Sequence, residues 1–130
     1  MDSINNLTQF YEKALDAASL RQKVIAENIA NIDTPNYRHK EVAFEDTFRK
    51  LIAQESGEGG IQAQVTDPRH IRFGHFDMAS MQVPIKYQSG KLDINTEMAS
   101  LVKNQIMYKA LASKVGGLLS GINYVIDSVK

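Results

Sequence analysis

Apolar and polar positions follow two different periods along this chain. Near the start, Leu7, Tyr11, Ala14, Ala18, Arg21, Ile25, Asn28 and Ile32 succeed one another at steps of four and three, a heptad spacing interrupted by polar residues. That spacing predicts a helix from about Ser3 to Ile32. Near the other end, Ile94, Met98, Leu101, Gln105, Tyr108, Ala112, Val115, Leu119, Ile122, Ile126 and Val129 keep the same rhythm for about five heptads. Asp93 or Asn95 can cap this second helix, and Glu97 lies in its first turn, where a negative charge complements the helix dipole.

Between the helices the period changes. Phe44, Phe48, Leu51 and Ile52 mark one short amphipathic helix, followed by the loop Ser56-Gly57-Glu58-Gly59-Gly60. Alternation then takes over at Ile61, Ala63 and Val65, at Ile71 and Phe73, and at Val83, Ile85 and Tyr87, which predicts short strands or extended arms. Pro84 confines the last of these to a sheet edge because proline cannot donate to a ladder.

Helices of this length would be roughly 40 and 50 Å long, longer than a compact body of this chain length is wide. The expected architecture is therefore mainly α: a hairpin of the two terminal helices, coiled-coil-like, with apolar surface left over for neighbouring chains. It divides into an N-terminal helix and turn (residues 1–37), a middle region (38–91) and a C-terminal helix (92–130), together forming one unit. Gly116, Gly117 and Gly121 weaken the second helix and suggest either close approach of a neighbour or a loosely held tail.

The decapeptide Asn28-Ile29-Ala30-Asn31-Ile32-Asp33-Thr34-Pro35-Asn36-Tyr37 is more polar than a helix end requires. Pro35 biases Thr34 away from the α region, so the helix should stop at about Ile32 or Asp33. Asn28 and Asn31 carry side-chain amides that both donate and accept, which suits them to fixing one chain against another.

Composition narrows the chemistry. Fifteen basic residues balance fifteen acidic ones in 130, so no net charge draws the chain to nucleic acid or to an anionic membrane. Cysteine is absent, which removes disulfides, thiolate nucleophiles and Cys-ligated zinc. Met1-Asp2-Ser3-Ile4-Asn5-Asn6 has neither a basic segment nor an apolar run, so no cleaved secretory signal is expected, and no segment suits membrane insertion. His70 and His75, with Asp67 and Asp77 nearby, lack the spacing of a metal or acid–base site, since residues five apart point to opposite faces of a strand. With no phosphate loop and no nucleophile elbow, nothing favours an enzyme, and neither a cofactor nor a metal is expected.

The run Val24-Ile25-Ala26-Glu27-Asn28-Ile29-Ala30-Asn31-Ile32-Asp33-Thr34 closely resembles the N-terminal signature of the bacterial flagellar rod and hook axial proteins. Asp33-Thr34-Pro35-Asn36-Tyr37, the turn Asp67-Pro68-Arg69-His70-Ile71, Glu97-Met98-Ala99 and Lys103-Asn104-Gln105-Ile106-Met107-Tyr108 are similar to the proximal rod subunits of that superfamily. Distal rod and hook subunits share the ends but carry a large inserted domain that this length cannot hold. A second type of proximal rod subunit, usually Asn-Thr-Thr where this chain has Asp33-Thr34-Pro35, is the nearest rival. A coiled-coil export chaperone or adaptor is the alternative from another class.

The resemblance implies a structural, non-enzymatic subunit of the basal-body rod, serving flagellum-dependent motility. It implies export by the flagellar type III apparatus and helical polymerisation in the periplasm through the terminal helices. The implied partners are other rod subunits, further copies of itself, the junction protein and membrane ring at the rod base, and the export gate. The signature positions Asn28, Ile29, Ala30, Asn31, Thr34, Pro35 and Tyr37 are expected at assembly contacts. Ile25, Ile32, Met98, Leu101, Gln105, Tyr108, Val115, Leu119, Ile122 and Ile126 are expected to form the helix seams. Phe44, followed after three residues by Phe48, resembles the short motif that early rod and hook substrates present to the export gate, although one face of a short helix would give the same pattern.

Overall fold

A computed structural model describes residues 2–47, 49 and 81–129. The protein is mainly helical, as the periodicity predicts. An N-terminal helix spans Asp2–Ala30 and a C-terminal helix spans Ile94–Ser128. Between them lie two short strands, β1 (His39–Val42) and β2 (Ile85–Gln88), paired antiparallel with Lys40 opposite Tyr87 and Val42 opposite Ile85. At 1.5 Å per residue the 29- and 35-residue helices are about 43 and 52 Å long.

The helices run antiparallel, since Asn104 bonds to Ala18 and Gln22 while Glu97 meets Asn28. The inward row of the N-terminal helix is largely small: Ala14, Ala17 and Ala18 are buried, joined by Val24, Ile25 and Asn28. Small side chains let two helix axes come close, and the partner then needs little bulk to fill the gap. The N-terminal seam therefore faces inward along the row that its heptads define, and Ile25 on that row is buried.

The C-terminal helix differs. Its inward row is Glu97, Leu101, Asn104, Met107, Leu111, Val115, Leu118 and Ile122, of which only Asn104 is fully buried. Of the seam residues named from the heptads, Leu101, Val115 and Ile122 are half-buried on that row. Gln105 is exposed, as are Met98, Tyr108, Leu119 and Ile126. Apolar residues sit on more than one face of this helix, so periodicity alone does not choose the face that turns inward. A side chain added at Gly116, Gly117 or Gly121 would meet nothing within 4 Å among the described residues, so no described helix of the same chain uses the space they leave.

Helix ends follow local chemistry. The Asp93 side chain accepts from Asn95 N–H at 2.8 Å, so Asp93 rather than Asn95 is the cap, and Glu97 occupies the first turn. The N-terminal helix ends at Ala30, two or three residues before the proline argument places it, because turn bonds begin at once: Ile32 N–H reaches Ile29 C=O and Thr34 N–H reaches Asn31 C=O. Asn36 completes this turn with φ of 60°, a left-handed conformation that asparagine tolerates better than most residues.

Residues 44–47 begin a further helical turn, with Thr47 donating from N–H and hydroxyl to Ala43 C=O. Phe44 is half-buried, its ring 6.5 Å from that of Phe10. The Phe48 side chain, the loop at 56–60, the extended runs around 61–65 and 71–73, the turn at 66–69, and His70, His75, Asp67 and Asp77 lie outside the described residues. No helix among the described residues is long and apolar enough to cross a membrane.

Candidate functional site

The polar decapeptide folds into a junction where the N-terminal helix, β1 and the start of the C-terminal helix meet. At its centre, Asn28 is 2% exposed and has every hydrogen-bonding position occupied. Its Nδ2 donates to Lys40 C=O at 2.9 Å and to Glu97 Oε2 at 3.3 Å. Its Oδ1 accepts from Lys40 N–H at 3.0 Å and from the Tyr37 hydroxyl at 3.2 Å. An amide has two donors and two good acceptor positions, so nothing remains for another molecule. Asn28 spends its side chain on its own chain, binding residues that are 9, 12 and 69 positions away.

Lys40 offers both backbone groups to Asn28 because Lys40 and Tyr87 form a pair whose N–H and C=O point away from the partner strand. Val42, two residues on, points its carbonyl the same way, and Arg21 donates to it at 3.2 Å. Arg21 and Asn28, the two polar interruptions of the first heptad row, thus stand in for a third strand along β1. Seven residues of helix span about 10.5 Å and two residues of strand about 7 Å, and the longer arginine side chain closes the difference.

Ion pairs reinforce the junction. Lys40 Nζ lies 2.8 Å from Glu27 Oε2, which holds the Lys40 pKa above the ordinary lysine value and the Glu27 pKa below the ordinary carboxylate value. Burial works against the charge on Glu45, but the hydrogen bond and charge of Arg21, 2.5 Å away, outweigh it and lower its pKa. The Lys86 pKa is raised by its hydrogen bond to Asp46, in the helical turn that follows β1. Arg38 stacks over the Tyr87 ring at 5.8 Å.

The other signature positions have local roles. Asn31 donates from Nδ2 to Glu27 C=O at 2.8 Å and accepts from the Thr34 hydroxyl at 3.2 Å, so it closes the helix end. Thr34 and Pro35 are exposed in the turn, Ala30 is exposed, and Ile29 and Ile32 are half-buried. Several contributors were not singled out from the sequence as site residues, among them Arg21, Glu27, Lys40, Glu45, Glu97 and Asn104. Asn104 is 3% exposed, and its Nδ2 donates to Ala18 C=O at 2.9 Å and to Gln22 Oε1 at 3.1 Å. Its Oδ1 is buried without a partner among the described residues. A groove of about 470 Å³ opens beside this junction, walled by Val24, Ile25, His39, Lys103, Asn104 and Met107.

Two long helices, clamped together at one end by a polar knot and leaving most of the second helix bare, define a helical-hairpin structural subunit. Comparison with known proteins gives that class a family. Residues 9–38 match the flagella basal body rod protein family model. The chain is 36% identical to the flagellar basal body rod protein FlgB of Bacillus subtilis over the whole of both chains. It is 28% identical to FlgB of Borreliella burgdorferi, covering 97% of this chain and 99% of the relative. To FlgB of Salmonella typhimurium it is 25% identical, covering 98% and 97%. The chain belongs to the FlgB family of flagellar basal body rod proteins.

Proposed function

We propose that the chain is a structural subunit of the flagellar rod that polymerises through its two terminal helices, and in particular through the open side of the C-terminal one. One observation carries this reading. Ile94, Met98, Val102, Ile106, Leu119, Tyr124, Val125 and Ile126 are all exposed along a single helix. Monomeric proteins rarely leave so many large apolar side chains uncovered along one element, and such exposure marks a surface that a partner covers. The signature at Asn28 and Tyr37 shapes the subunit from inside, while Asn31, Thr34 and Pro35 set the turn that presents it.

The subunit associates with other rod subunits, with further copies of itself, and with the junction protein and membrane ring at the rod base. It crosses the inner membrane through the type III export gate as an unfolded chain and acts in the periplasm. Phe44, packed on Phe10 once folded, is exposed in the unfolded chain and available to the gate. The test is complementation of a bacterium that lacks its own FlgB. The intact chain restores swimming, and a variant carrying Met98→Lys and Val102→Lys is secreted but leaves the cells non-motile. Phe44→Ala lowers the periplasmic amount while the cytoplasmic amount holds. Swimming by the double lysine variant would refute assembly through this face.

A further inference from the structure

We propose that the open edge of the β1–β2 hairpin is a docking site for an extended, acidic segment of another protein, which adds to β2 as a third strand. The inference goes beyond the rod-subunit reading, since it concerns the hairpin and not the terminal helices.

The two edges of the hairpin differ. Lys40 turns its N–H and C=O to Asn28, and Val42 turns its C=O to Arg21, so the outer edge of β1 is filled from the N-terminal helix. In an antiparallel ladder both members of such a pair point their backbone groups away from each other. Tyr87, opposite Lys40, and Ile85, opposite Val42, therefore aim two N–H and two C=O groups at the far side of β2. No third strand lies there among the described residues. An edge of this kind is a template for another strand, with the main chain supplying affinity and alternate side chains supplying specificity.

Side chains define what the edge accepts. Lys86 and Gln88 share one face of β2 and are already engaged, Lys86 with Asp46 at 2.5 Å and Gln88 with Glu41 and His39. Ile85 and Tyr87 lie on the other face, 38% and 56% exposed, and offer apolar surface to every second residue of an added strand. The charge at the edge has one sign. Arg38 reaches across to the Tyr87 ring, 5.8 Å away, and Lys91 follows the strand; both are exposed, and neither makes an ion pair among the described residues. From Met81 to Leu92 the chain holds two lysines and no acidic residue.

That sign chooses the occupant. Pairing β2 with the β2 of a second copy would bring Arg38, Lys86 and Lys91 of each copy toward the same cations of the other, and lysine on an edge keeps like edges apart for this reason. A strand with carboxylates at its ends meets Arg38 and Lys91 instead. Its apolar positions then fall beside Ile85 and Tyr87. Pro84 before β2 and Gly90 after it, the latter with φ of 151°, bound the edge, so the recognised segment is short.

The test uses the full chain. The probe is a fluorescein-labelled heptapeptide alternating glutamate with valine, followed by fluorescence anisotropy, and the control is the same peptide with lysine for glutamate. The glutamate peptide binds about ten-fold more tightly than the lysine peptide, and salt narrows the difference. Hydrogen exchange at the Ile85 and Tyr87 amides slows on binding, while exchange at Lys86, paired with Glu41 on the β1 side, does not change. Tyr87→Pro removes an outward N–H without breaking the bonds to β1 and weakens binding about ten-fold. Arg38→Gln leaves the backbone alone and weakens binding about three-fold, which decides the matter should circular dichroism show the proline variant misfolded.

No binding of the glutamate peptide overturns the proposal, as do equal binding of the two peptides and unchanged binding by a folded Tyr87→Pro or by Arg38→Gln. Ile85 and Tyr87 amides protected before any peptide is added also overturn it, because the edge is then already filled. Self-association that Tyr87→Pro abolishes overturns it in favour of a second copy. None of these readouts uses motility, so the docking and the rod reading fail separately.

Discussion

Replacing Asn28 by alanine removes four hydrogen bonds at once from a position that is 2% exposed. The two bonds to Lys40, at 2.9 and 3.0 Å, are the strongest, and losing them strands a backbone N–H and a backbone C=O along β1. A typical internal hydrogen bond is worth about 0.5–1.5 kcal/mol net, and a buried group left without a partner costs about 1–3 kcal/mol. The Tyr37 and Glu97 bonds are longer, at 3.2 and 3.3 Å, and both partners are half-exposed enough for water to replace them in part. The expected loss is about 2–4 kcal/mol.

Urea unfolding followed by far-UV circular dichroism measures it. With a slope of about 2 kcal/mol per molar for a protein of this size, the midpoint should fall by about 1–2 M. Asn28→Asp sharpens the argument. It preserves the shape and both acceptor contacts, but it removes the donors and places a carboxylate 3.3 Å from that of Glu97. It should cost at least as much as alanine, and adding Glu97→Gln should recover part of the loss by restoring a donor across the gap. A loss for Asn28→Ala no larger than that of the exposed control Gln105→Ala, within about 0.5 kcal/mol, would refute the view that this amide clamps the junction.

Three further outcomes follow from the same geometry. Gly117→Ala meets nothing within 4 Å and should stabilise the isolated chain by up to about 1 kcal/mol in thermal unfolding, so any accompanying failure of rod assembly would arise between subunits. Asn104→Leu removes a half-satisfied buried amide and should raise thermal stability by about 1 kcal/mol, while a cross-link between the helices placed to report the native register forms in lower yield. Because Glu27 and Glu45 titrate below the ordinary 4.5, their contribution is present above that value and is lost as pH falls through their folded pKa. Lys40 and Lys86 titrate above 10.5, so theirs is present below that value and is lost as pH rises through the folded pKa. The melting temperature should be level between roughly pH 5 and 10 and decline on both sides, with Arg21→Gln weakening the acid limb.

Sequence alone determined the features that depend on near neighbours. The two long helices are written in a four-three rhythm because side chains one helical turn apart share a face, and their ends are written in Asp93 and in the Asn31-to-Tyr37 turn, whose side chains bond backbone a few residues away. The signature that assigns the family lies in one such continuous run. Arg21 and Asn28 were visible as polar breaks in the first heptad row, but what they hold was not, since β1 lies beyond the turn and its outward edge depends on pairing with β2. Tertiary structure alone decided which face of the C-terminal helix turns inward. Apolar residues surround that helix, so its own pattern leaves the choice open. The choice is made by two polar contacts across the hairpin, Glu97 with Asn28 and Asn104 with Ala18, between residues 69 and 86 positions apart. Hydrophobic burial is roughly indifferent to rotation of such a helix, whereas a hydrogen bond is satisfied only within a narrow range of distance and angle.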